Sequence, residues 1–139
     1  NRVALFEQCH YLSFLAEACL GAGDATRARG LVEEAIALAL HTQQPVAEAS
    51  AHLARIRVLL TTDGLAERGE VEASLARASA LVESTGARSL EGPIDVERAR
   101  LAGVLGDAAG RLQWLRAAHR VFTELGARGH AARLAKELA

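Results

Sequence analysis

Apolar and small side chains recur at helical spacing in short runs, and each run stops at glycine, a Gly-Asp pair or proline. The clearest case runs from Leu12 to Leu38. Leu12, Leu15, Ala16 and Cys19 form one face, and Ala28, Val32, Ala35 and Leu38 form another beyond Gly21-Ala22-Gly23-Asp24. This predicts two helices around a turn, with Gly21 or Gly23 at the left-handed C′ position and Asp24 as the next N-cap. The first helix is expected over 3–20, with Val3 and Leu5 also inward, and the second ends near His41 with Ala39 buried. The third, over 45–62, has Pro45 in its first turn and buries Ala49, Leu53, Ile56, Val58, Leu59 and Leu60. Asp63-Gly64 ends it, and 65–69 form a longer turn. The fourth, over 70–85, buries Val71, Leu75, Ala78, Leu81 and Val82, and Gly86 stops it. The fifth either starts at Pro93 or is kinked there, and it ends at a second Gly-Asp pair, Gly106-Asp107. The sixth, over 107–124, buries Leu112, Trp114, Leu115, Ala118, Val121 and Phe122. A last helix, over 129–138, presents Ala132, Leu134, Ala135 and Leu138. No alternating run is long enough for a strand, so the fold class is all-α.

The helices repeat in pairs. Gly86-Ala87-Arg88 returns as Gly126-Ala127-Arg128, and the second helices align as Ala28/Val71/Arg111, Val32/Leu75/Leu115 and Ala35/Ala78/Ala118. The period is near 40 residues. With these residues the chain resembles the tetratricopeptide repeat (TPR) family. Leu15, Ala16, Cys19, Gly23, Ala28, Val32 and Ala35 match in the first hairpin. Leu53, Ile56, Leu60, Gly64, Leu75 and Ala78 match in the second, and Ala99, Ala102, Leu115 and Ala118 in the third. Arg57 and Arg111 stand where that pattern expects small residues. The period exceeds the usual repeat of about 34. The resemblance implies a right-handed superhelical array of antiparallel hairpins, about three plus a C-terminal capping helix, as a single domain over 1–139.

Long, degenerate repeats of this kind resemble the C-terminal region of large bacterial regulators, where an ATPase core is fused to an adenylate cyclase or a LuxR-type DNA-binding domain. The stretch from Ala117 to Arg128, followed by Ala131-Ala132-Arg133-Leu134, is similar to the way those chains end. Val3, Leu5 and Phe6 open the chain as though a neighbour once covered them, which together with the absence of methionine predicts a fragment of a longer protein.

Composition narrows the function more than it names it. The formal net charge is −1 and both signs are interspersed, without the basic stripe of a nucleic-acid binder. Lys136 is the sole lysine among sixteen cationic side chains. Cys9 and Cys19, ten residues apart on one helix, lie roughly 15 Å apart by helical rise, too far to bridge. Thiols of that kind fit a reducing cytoplasm. No apolar run is long enough to span a membrane. His10, His41, His52, His119 and His130 form no ligand pair at helical spacing, and Gly21 to Thr26 lacks the strand and lysine of a P-loop. Ser13, Ser50, Ser74 and Ser79 have no obvious base beside them. No catalytic residue, cofactor or metal is therefore expected, and the chain is read as a non-enzyme.

The function expected is a protein–protein or interdomain interaction module of a bacterial signalling or transcription regulator. Its partner is a protein or peptide, other domains of its own parent chain included, with no direct nucleic-acid or membrane contact. The oligomeric state is left open, a dimer included. Carrying the family's ligand-facing positions across gives His10, Ser13 and Glu17, then Ala51, Ala54 and Val58, then Val96 and Arg100, as a groove for a peptide or helix. The alternative is a sensor that binds a small effector between helices.

Overall fold

In a computed structural model, residues 2–139 are described, apart from the side chains of Arg2, Leu5 and Phe6. The expectations for Leu5 and Phe6 lie outside the described residues. Among the described residues there are seven α-helices, two short 3-10 turns and no strand: α1 (Arg2–Gly21), α2 (Ala25–His41), α3 (Pro45–Thr62), α4 (Arg68–Thr85), α5 (Glu91–Val104), α6 (Ala108–Glu124) and α7 (Arg128–Leu138). None of these helices is long and apolar enough to cross a membrane. The chain divides into two units, Asn1–Gly86 and Ala87–Ala139.

The helix boundaries follow the turn chemistry. Gly23 and Gly106 take φ of +85° and +79°, and the aspartate after each caps the next helix. Asp24 Oδ1 accepts from Arg27 N at 3.1 Å, and Asp107 Oδ1 accepts from Gly110 N at 2.8 Å. Between α2 and α3 the left-handed position is held by Gln43 (φ +55°), where a side chain makes that conformation costlier than it is for glycine. The turn expected over 65–69 is shorter, because a 3-10 turn over Gly64–Glu67 leads straight into α4. The fifth helix neither starts at Pro93 nor needs a kink there. It starts at Glu91, which puts Pro93 third, where no intrahelical N–H bond is lost.

In the N-terminal unit, α1 packs on both α2 and α3, and α3 packs on both α2 and α4. Cys9, Leu12 and Ala16 of α1 meet Ala28, Val32, Ala35 and Ala39 of α2 and Ala47, Ala51, Ala54 and Val58 of α3. Small residues dominate all three stripes, and they let three helix backbones approach closely. Ala35 is wholly buried at this junction, so Ala35→Leu is expected to cost about 1–3 kcal/mol by overpacking. A thermal melt unchanged by that substitution would refute the close packing. Val3, expected inward, is 65 % exposed. The inward set expected for α4 is buried throughout.

In the C-terminal unit, α5 and α6 form a hairpin and α7 packs on α6. Ala99, Leu115, Ala118, Phe122 and Leu134 form its core. Leu112 and Trp114 are only half-buried, and Ala132 and Ala135 of α7 are exposed. Phe122 lies so close to Gly92 that a Cβ there would sit 2.6 Å from the ring, and its other contacts include a stack on His130 at 4.8 Å. Arg111, where the repeat pattern calls for a small residue, reaches Glu137 at 3.1 Å, with its stem running past Gly103.

Candidate functional site

On α1, residues 10, 13, 14 and 17 share one face by helical spacing, next to the buried 9, 12 and 16 stripe. On α3, residues 50, 54 and 57 do the same beside the buried alanine stripe. The two faces meet in an open groove of about 190 Å³, lined by His10, Ser13, Phe14, Glu17, Ser50, Ala54 and Arg57. Glu17 and Arg57 form an ion pair across it from α1 to α3. Arg57 therefore does not disturb the helix contact. Its side chain leaves the core and serves as one wall. Phe14 is 72 % exposed and Tyr11, one turn earlier, 62 %. Exposed aromatics beside a polar pair are typical interface anchors.

Of the residues expected to line a groove, His10, Ser13, Glu17 and Ala54 lie along this one. Ala51 and Val58 are placed otherwise. Both are buried against α1 and α2, as is nearly all of Ala54, because the α3 stripe that carries them fills the three-helix junction. They have no surface to offer a partner, and Ala54 contributes only the groove floor. Val96 packs against the α5–α6–α7 core of the C-terminal unit, and Arg100 is exposed there, 3.6 Å from Glu97. Phe14, Ser50 and Arg57 complete the groove and were not among the residues expected.

A second constellation lies between α3 and α4. Glu48, on the first turn of α3, is almost fully buried, and Arg77 of α4 donates to it twice, at 2.6 and 3.0 Å. His52, one turn on, has Nε2 3.5 Å from the same carboxylate and Nδ1 3.0 Å from Ser74 Oγ. Arg55 donates to that hydroxyl at 2.9 Å and to Glu33 of α2 at 2.6 Å, and it also pairs with Glu70 of α4. Hydrogen bonding from Arg77 holds the Glu48 carboxyl below its usual range against the opposing effect of burial. Burial pushes His52 below the usual imidazole value, with Glu48 pulling the other way and Arg55 and Arg77 reinforcing it.

A neutral His52 with its proton on Nε2 satisfies the set: Ser74 Oγ–H donates to Nδ1, and Nε2–H faces Glu48. The order Ser74, His52, Glu48 is that of a nucleophile relay. Ser74 is 1 % exposed and its oxygen already accepts from Arg55. The trio thus ties α3 to α4, as Arg29 ties α2 to Asp63 and Glu67 beyond α3 at 3.3 and 3.0 Å.

In the C-terminal unit Asp95 is buried beside Arg98, 3.0 Å away. Burial raises its carboxyl above the usual range, and the hydrogen bond from Arg98 opposes that. Arg98 also lies over the Trp114 ring at 4.7 Å. Cys9 and Cys19 are thiols, and burial pushes the Cys9 thiol up, so it is a packing residue of low reactivity. Comparison with protein-family models, with curated proteins and with solved structures finds no match.

Proposed function

We propose that the chain is a non-catalytic, TPR-like interaction module whose α1–α3 groove receives a peptide or helix of a partner protein. On this reading the partner is a neighbouring domain or a second protein of a bacterial signalling or transcription regulator, and the module works in the cytoplasm. The observation that supports it is the pairing of exposed Tyr11 and Phe14 with a groove across which the Glu17–Arg57 ion pair runs between helices that lie two apart in sequence. The aromatics supply anchoring area, and the ion pair supplies a donor and an acceptor for a bound main chain.

Peptides selected from a random display library against the whole chain test this. Bound peptides are expected to lose at least tenfold in affinity on Phe14→Ala or Glu17→Arg. Arg68→Ala, on exposed α4 surface, is expected to change nothing. Selected peptides indifferent to both groove substitutions would defeat the reading.

A further inference from the structure

Many arginines of this chain are matched by acid. Arg29, Arg55, Arg57, Arg77, Arg88 and Arg111 each pair with a carboxylate on another element. On helix α6, Arg111 keeps to that pattern, whereas Arg116 and Arg120 do not. The helix contains no acid from Ala108 through Thr123. Arg116 and Arg120, one turn apart on it, are both exposed. Neither makes an ion pair with a described residue. Like charges at this spacing disfavour a helix, so the pair has no local structural return.

Gln113, Trp114 and Ala117 lie beside these two arginines, and the five residues line an open hollow of about 410 Å³ along α6. Trp114 gives it an aromatic wall, half-buried and held in place by the Arg98 guanidinium over its ring. Buried Asp95 is hydrogen-bonded to Arg98 and also feels the charge of Arg120, so Arg116 is the less compensated of the two exposed arginines. Ala117 leaves the floor open between them. Guanidinium forks one turn apart, with an amide beside them, match a ligand that presents oxyanions.

We propose that this face of α6 binds a small organic anion carrying phosphate or carboxylate groups, with Arg116 and Arg120 as its oxyanion partners and Trp114 as its aromatic wall. The site lies in the C-terminal unit and does not depend on the α1–α3 groove.

Trp114 is the only tryptophan, so its emission reports this site. The whole chain is titrated with phenyl phosphate, pyrophosphate and citrate at fixed ionic strength, with chloride as the control, and the same samples are followed by calorimetry. Saturable binding of a phosphate probe or of citrate, absent with chloride, is the expected result and tells the two oxyanion classes apart. Arg116→Ala and Arg120→Ala, which keep the far-UV spectrum, are each expected to weaken binding at least tenfold. Arg27→Ala and Arg128→Ala are expected to leave it unchanged. The proposal is overturned if no probe saturates or if all four substitutions weaken binding alike.

Discussion

Phe122→Ala is expected to cost about 3–5 kcal/mol, the range for a large aromatic removed from a packed core. Phe122 is buried among Ala99, Leu115, Ala118 and Leu134, and its ring bridges three helices: α6, which carries it, α5 at Gly92 and α7 at His130. Few side chains in a unit of this size could compensate. The same geometry makes a sharper claim. Gly92→Ala alone must displace the ring, since the new Cβ would meet Phe122 Cε1 and Cζ at 2.6 Å, and about 1–3 kcal/mol is expected from that overpacking. With Phe122→Ala in place the clash vanishes. Gly92→Ala is then expected to be neutral, or favourable by up to about 1 kcal/mol, because alanine is the better helix former. Urea melts followed by Trp114 emission, which reports the same core, measure all four corners of the cycle. Additive effects would show that the ring does not rest on Gly92.

Most of the helix plan was legible in the sequence because turns are local. A glycine in the left-handed region followed by an aspartate cap needs only a few adjacent residues, and Gly23-Asp24 and Gly106-Asp107 both announce themselves. The start of α5 was misread for a reason equally local. Proline is tolerated anywhere in the first turn, so Pro93 marks the turn and leaves the first residue undefined.

Faces were harder to read than helices. The periodicity of α3 is weak because three neighbours cover it, α1 and α2 on its alanine stripe and α4 on the side that carries Glu48, His52 and Arg55. Ala51 and Val58 sit at groove-like register positions, but which stripe is covered depends on α1, some 40 residues earlier. The clue that was available is the pair of aromatics off the buried α1 stripe. Tyr11 and Phe14 flank Leu12 without sharing its face, and large apolar residues in that position ask for a partner. The polar constellation left a fainter mark. Glu48 and His52 one turn apart could be paired by eye, whereas Ser74 and Arg77 come from a helix whose register against α3 no local pattern states.

Arg77→Ala is expected to cost about 2–3 kcal/mol at pH 7.5, and the cost should shrink on acidification. Removing one partner of a fully buried ion pair costs about 3–5 kcal/mol, and Arg77, half in solvent, warrants less. The pH dependence follows from Glu48 and His52. Arg77 holds the Glu48 carboxyl low, so that pair stabilises the fold above the ordinary carboxyl value of about 4.3 and is lost as pH falls through the lower folded value. Buried His52 stays neutral below the ordinary imidazole value of about 6.5, so its contribution too is present above that value and lost as pH falls. The unsubstituted chain therefore weakens in two stages, first below about pH 6.5 and then in the carboxylate range. Without Arg77, Glu48 loses its largest lowering influence and rises, while His52 loses a repelling cation and rises as well. Both groups then accept protons more readily in the folded state. The variant weakens less between pH 7.5 and 5, and its deficit narrows over that interval. Urea denaturation by far-UV circular dichroism at several pH values measures this, with Arg77→Lys expected to keep part of the stability. A deficit of the same size at every pH would mean that Arg77 acts through packing and that its charge does not set the state of Glu48 and His52.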